Sequence, residues 1–254
     1  MSDLGPPSSL SAYGRLIDAL IARGYRIVAA DRIEPASRHL VLRHDVDFDL
    51  AAAVAMAEME AGQGHRTHYF VLVRTEFYNP FSRSGTDAIR RLHELGHDVG
   101  LHFDAAYWGS ADTDLTGPIA RECDLLADIL GAPVTAFSFH RPRPGLLDRE
   151  ISVPGRLNMY AVRFFRDIGY CSDSRGAWNH GHPLDHPAVA AGRALQLLTH
   201  PIWWTSDAGA TAQDKLERFL DRRRRLLDRE AAANCDVYRP VTPRQVPPGP
   251  RTAK

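Results

Sequence analysis

Val41-Leu42-Arg43-His44-Asp45-Val46-Asp47-Phe48-Asp49 decides how the chain reads. Its first half is apolar and β-prone, and it then runs into three acids at alternate positions. A buried strand ending in carboxylates is how α/β proteins bring chemistry to the C-terminal edge of a sheet. Side chains alternate along an extended chain, so Asp45 and Asp47 share one side. Two carboxylates on one face repel unless a cation or a shared proton intervenes. A metal site with a neighbouring base is the sharper reading. The plainer one is an acidic turn that caps the next helix, with Asp49 as N-cap.

Outward from this stretch, strands and helices alternate. Helical spacing of Leu16, Ile17, Leu20 and Ile21, closed by Gly24, precedes a short strand over 25–30. After the acid-tipped strand over 39–45 comes a helix over 50–61, rich in Ala, Met and Glu. Aromatic and β-branched residues predict a strand over 67–73. A loop with Phe77, Tyr78 and Phe81 follows, then a helix over 87–95 and a strand over 98–104. A helix over 118–130 leads to a strand over 134–139, tipped by His140-Arg141-Pro142. Past Gly145 the pattern loosens: a helical piece over 160–167, then Gly169 to Ser174, then an irregular segment through Pro187. The strand over 194–200 ends in His200, and a charged helix over 212–233 follows. This order predicts parallel βα units in a layered or barrel α/β fold. The expected organisation is an extension over 1–36, a barrel over 37–234 and a disordered tail over 235–254, rich in proline and positive charge.

With 254 residues the chain suits one α/β domain. Acidic and basic residues balance at 31 each, which argues against nucleic acid or an anionic membrane as main partner. Arg222 to Arg225 read as a solvated helix face. Cys123, Cys171 and Cys235 are few, scattered and odd in number, as in a reducing compartment. The N-terminus has no secretory pattern and no apolar run approaches the roughly 20 residues of a membrane span, so a cytoplasmic location is expected.

Four expected strands end in Asp45/Asp47, His102/Asp104, His140/Arg141 and His200. One such ending is unremarkable, since a histidine at a strand end is more often a surface residue than a ligand. Four on the same edge are a rarer coincidence, and carboxylate plus imidazole suits a zinc-like ion with an open position. The segment Asn179-His180-Gly181-His182-Pro183-Leu184-Asp185-His186 also holds three histidines, but no strand or helix fixes their geometry, so it reads as a surface or rim loop. Trp203 and Trp204, just past His200, read as packing or as a platform for a sugar ring.

Over roughly residues 39–204 the sequence resembles the polysaccharide deacetylases, the NodB-type domains of carbohydrate esterase family 4. The resemblance implies a distorted (β/α) barrel of about seven parallel strands. It also implies a metal-dependent hydrolase that removes N- or O-acetyl groups. Asp45 matches the family's general base and Asp47 a metal ligand. Gly96-His97-Asp98-Val99-Gly100-Leu101-His102 matches the second motif, with His102 as ligand and His97 structural. Arg141-Pro142-Arg143-Pro144-Gly145 matches the third, whose arginine orients the base. Asp173 and Trp178 match the fourth loosely. Leu197-Leu198-Thr199-His200 matches the fifth, which implies that His200 is the general acid.

One departure stands out. Where the second motif brings a further histidine, this chain has Ala106. His140 is the first replacement for the missing ligand, Asp104 the second, and loss of the metal site the third alternative. His44 alternates to the other side and is expected to pack. The cofactor implied is a divalent metal, foremost Zn2+, and the partner an acetylated sugar or glycan precursor. Two other functions stay open: a decayed deacetylase barrel that binds glycans, and a metal hydrolase of a different amide or ester.

Overall fold

The computed structural model describes residues 9–109, 113–142, 145–147, 150–179, 181–205 and 209–240. The expected tail over 235–254 falls from residue 241 onward outside them, as do Arg143, Pro144 and His180 of the segments above. The chain divides into two compact units, residues 1–212 and 213–254.

In the first unit the elements run α1 (Leu10–Ala22), β1 (Arg26–Ile27), β2 (His39–Val46), α2 (Leu50–Gly62), β3 (His68–Val71), α3 (Arg83–Glu94), β4 (Asp98–Asp104), α4 (Thr116–Leu130), β5 (Ala136–His140), β6 (Leu157–Asn158), α5 (Val162–Phe165), β7 (Gly169–Ser172), α6 (Pro187–Ala190) and β8 (Leu195–Thr199). The last helix, α7 (Ala212–Asn234), makes up most of the described part of the second unit. Within α7, Arg225 pairs with Asp221 one turn away, and the Tyr238 hydroxyl donates to Asp228 at 2.6 Å.

The strands form one parallel sheet in the order β6-β5-β4-β3-β2-β8-β7, with β1 on β2. β8 occupies one edge of β2 from Leu40 to His44, so β1 and β3 share the other edge end to end. Helices between successive parallel strands and a curled sheet with β6 and β7 as its edges give a distorted, incompletely closed (β/α) barrel. Across the open seam the Gln196 amide on β8 donates to the carbonyls of Phe164 at 2.9 Å and Met159 at 3.3 Å.

All eight residues of β2 are buried, as in a parallel sheet covered on both sides. Val41, Arg43 and Asp45 alternate inward; His44 faces outward. Val41 joins Ala30, Phe70, Ala136, Met159, Phe164 and Ile168 in the apolar floor of the barrel. Phe70 crosses this interior so closely that a Cβ at Gly100 would sit 2.4 Å from its ring. Outside, His44 bonds Thr199 at 2.7 Å and Glu60 of α2 at 3.0 Å. Glu60 also accepts from Tyr13, Thr67 and Tyr69, which ties α1, α2 and β3 together. Burial works against the Glu60 charge, but His44 and these donors bring its pKa down to about 2.

Sequence and structure differ mainly where chain is short of regular hydrogen bonds. The strand expected over 25–30 has only Arg26 and Ile27, because a 3-10 turn over Ala30–Arg32 takes its end. α3 starts at Arg83, ahead of 87, because the Ser82 hydroxyl caps it through the Gly85 N–H at 3.1 Å. The helical piece over 160–167 shrinks to Val162–Phe165. The two-residue strand β6 gave no periodic signal.

Candidate metal and hydrolytic site

Parallel strands all point their C-terminal ends at one mouth of the barrel, and β2, β4, β5, β7 and β8 meet there. Asp45 lies on the inner face of β2, and Asp47 follows just past it. His102 lies on β4, one alternation beyond Gly100, which pairs with Phe70; Phe70 in turn pairs with Asp45. His102 pairs with Ser138, and Asp104 with His140 at the tip of β5.

Asp47, His102 and His140 form a triangle. Asp47 Oδ1 lies 3.1 Å from His102 Nε2 and 3.3 Å from His140 Nδ1, and the two ring nitrogens are 3.3 Å apart. A tetrahedral ion with bonds of about 2.0–2.1 Å requires ligand atoms roughly 3.3 Å apart. Asp47 Oδ1 is buried and has no aligned hydrogen bond, which is what a ligand atom awaiting a cation looks like. Burial opposes the Asp47 charge, yet His102 and His140 hold its carboxyl well below the usual range. Among the described residues this is the group whose donors fit a metal. The Ser138 hydroxyl lies 2.7 Å from His102 Nδ1, and with the ring proton on Nδ1 it accepts that N–H and leaves Nε2 free as a ligand.

Asp104 does not join the triangle. Its Oδ1 accepts the Ala106 N–H at 3.1 Å and its Oδ2 the Arg141 guanidinium at 2.7 Å. Ala106 is exposed on the 3-10 turn that Asp104 caps, and it is His140, from the next strand, that stands beside His102 and Asp47.

Asp45 is 2% exposed and gripped by Arg43, with Nε on Oδ1 at 2.9 Å and Nη2 on Oδ2 at 2.8 Å. Arg43 is itself fully buried, its guanidinium 4.4 Å from the Tyr160 ring centroid and 5.5 Å from that of Phe70. Burial would raise the Asp45 carboxyl, but Arg43, with His102 behind it, holds it below its ordinary value. This corrects the expectation for Arg141. Its side chain is 69% exposed and bound to Asp104, because a left-handed backbone at φ 46° turns the chain away at the strand end. The signal for Arg43 was in the sequence: it shares the period-two face of Asp45.

On the other side, Asp173 follows β7 and is fully buried. It accepts the His200 ring N–H at Nδ1 (2.6 Å), the His200 backbone N–H at 3.0 and 3.1 Å, and the Trp204 indole N–H at 2.7 Å. His200 Nε2 then faces Asp47 Oδ2 at 3.7 Å. Burial pulls the His200 pKa down, but Asp173 outweighs it and pushes it up to about 9. The aromatic that touches Asp173 is Trp204; Trp178 packs against it with ring centroids 6.0 Å apart.

Three further histidines, His97, His182 and His186, are structural in their contacts. His97 is held between Thr67 and the Ala57 carbonyl, and His182 and His186 accept backbone N–H groups that start short turns. A cavity of about 980 Å3 opens at the opposite mouth between Arg32, Arg66, His68 and Arg156, away from these residues.

No family model matches the chain. Solved structures do. The chain is similar to family 4 carbohydrate esterases. One such esterase from Bacillus anthracis is 14% identical over 84% of this chain and 86% of its own, with a TM-score of 0.41. The chitin deacetylase of Colletotrichum lindemuthianum is 16% identical over 78% and 86%, at 0.44. A pseudoenzyme of the same family from Bacillus anthracis is 11% identical over 74% and 63%, at 0.41. At such values the chemistry has to be read from this chain's own geometry. No helix of the described residues is long and apolar enough to cross a membrane.

Proposed function

We propose that the protein is a metal-dependent hydrolase that removes an acetyl group, foremost an N-acetyl group, from a sugar or sugar-containing precursor. The observation that carries this reading is the triangle of Asp47, His102 and His140, with Asp45 and His200 on either side. Asp47, His102 and His140 would hold a divalent ion, zinc by its ligand set, which would supply a Lewis acid for the acetyl carbonyl and lower the pKa of water.

The chain's own residues divide the proton work. Asp45 stays ionised under Arg43, and each of its oxygens keeps a lone pair for a proton from the attacking water. His200, protonated on both ring nitrogens, gives its Nε2 proton to the departing amine while Asp173 steadies the imidazolium. Without that proton the amine is a poor leaving group. Asp173 and Arg43 are positioning residues. Trp203, just past His200, is buried and packs 6.2 Å from Phe48 between ring centroids.

Acetate release from N-acetylglucosamine oligomers tests the reading. The protein as purified is expected to release acetate, and Asp45→Asn and His200→Ala to lose at least 100-fold, on the scale of general acid–base catalysis. Normal turnover by Asp45→Asn contradicts the assignment. Ala106 favours one second reading, a barrel that binds glycans without turnover. It predicts glycan affinity with no acetate released by any form.

A further inference from the structure

We propose that the substrate carries a phosphate or carboxylate group, seated in the groove beside His140 and held by Arg74 and Arg141. This rests on the hydrolase reading above, because the groove opens on one of its three metal-site residues. The groove encloses about 610 Å3, with Leu72 and Val73 just beyond β3, Phe77 and Tyr107 on its sides, and Asp104, His140 and Arg141 at the barrel mouth. That volume suits a sugar-sized ligand.

Arg74 is fixed before any ligand arrives, and Arg141 is tethered at one end. Arg74 donates through Nε to the buried Glu122 at 2.7 Å and lies over the rings of Tyr107 at 4.5 Å and Trp108 at 5.1 Å. Glu122 is anchored in turn by the Trp108 indole at 3.0 Å. Arg141 is pinned through one Nη2 bond to Asp104. These bonds use one edge of each group. The remaining N–H groups have no partner among the described residues.

What the groove therefore offers is two directed guanidinium forks with N–H groups to spare. Asp104 and Glu122 already accept from the arginines, and Glu76, on the exposed rim, is the one carboxylate of the lining left over. Sugar hydroxyls need both donors and acceptors; a phosphate or carboxylate needs donors alone and takes guanidinium forks two at a time. Preorganised donors also spare the ordering cost that long side chains otherwise impose on binding. Because two guanidinium groups stand among three carboxylates, Glu76, Asp104 and Glu122, selectivity comes from bond direction rather than from a long-range field.

Calorimetric titration of the full chain compares N-acetylglucosamine 1-phosphate, N-acetylmuramic acid and neutral N-acetylglucosamine. The expected result is at least tenfold tighter binding of one or both anionic sugars, with the better one identifying the oxyanion. Arg74→Gln and Arg141→Gln are expected to reduce that preference several-fold each. Arg141 is exposed, so its variant tests the claim even where Arg74→Gln loosens Glu122. Equal affinity for all three sugars, no binding of any, or a preference untouched by both substitutions overturns the proposal. Metal content and acetate release, measured on the same samples, separate the two claims. Acetate release without anion preference leaves the hydrolase standing and removes the groove's role. Anion preference without metal or acetate release does the reverse.

Discussion

Arg43 and Asp45 lie two residues apart on one strand and form a two-bond ion pair inside the barrel, with Asp45 at the candidate site and Arg43 behind it. Arg43 is sealed from solvent and Asp45 nearly so, so each neutralises a charge that the interior could not otherwise hold. Removing one partner leaves the other stranded. Arg43→Met is expected to cost about 3–5 kcal/mol in denaturant unfolding. Arg43→Lys keeps the charge and loses the fork, so it is expected to fold better than Met but still lose activity. Unchanged stability in Arg43→Met contradicts the role given to this pair.

Gly100 is needed because Phe70 fills the space above it. A Cβ there meets Phe70 at 2.4 Å and the Ala136 carbonyl at 2.9 Å. Gly100→Ala is expected to cost about 1–3 kcal/mol through overpacking, and Gly100→Ala with Phe70→Leu to recover part of it. Thermal unfolding of the two variants reads this out directly.

Glu60 makes the fold sensitive to acid. Its carboxyl titrates near 2 when folded and near its ordinary 4.5 when unfolded. A lowered folded pKa contributes stability that is complete above 4.5 and is lost as pH falls through about 2. Stability is therefore expected to decline across that window in the native protein and much less in Glu60→Gln. A matching decline in both contradicts it.

Activity is expected to follow a bell in pH. Asp45 must be ionised, and its lowered pKa sets the limb below neutrality; His200 must be protonated, and its raised pKa sets the limb above it. Asp173→Asn removes the charge that raises His200, so the alkaline limb is expected to move down. A profile that ignores this substitution assigns the acid to another group.

Much of the site was legible in sequence because alternation along a strand is strict. Asp45 with Asp47, and His102 with Asp104, could be put on shared faces, and strand order brought their tips to one edge. His140 could be named as a candidate for the same reason. What periodicity lacks is direction at a strand end. Arg141 follows His140 at a left-handed residue, and nothing in Arg-Pro-Arg-Pro-Gly tells that its side chain falls on Asp104. Arg43 was overlooked because a buried arginine reads as a surface residue until its carboxylate is seen beside it. Ser138, between two phenylalanines, shows its purpose only through its pairing with His102.

Metal content tests the central claim most directly. Elemental analysis of the purified chain, beside His102→Ala and His140→Ala, is expected to find about one zinc-like ion per chain, lost in both variants. A full complement of metal in His140→Ala, or none in the native protein even after incubation with excess zinc, contradicts the site described here.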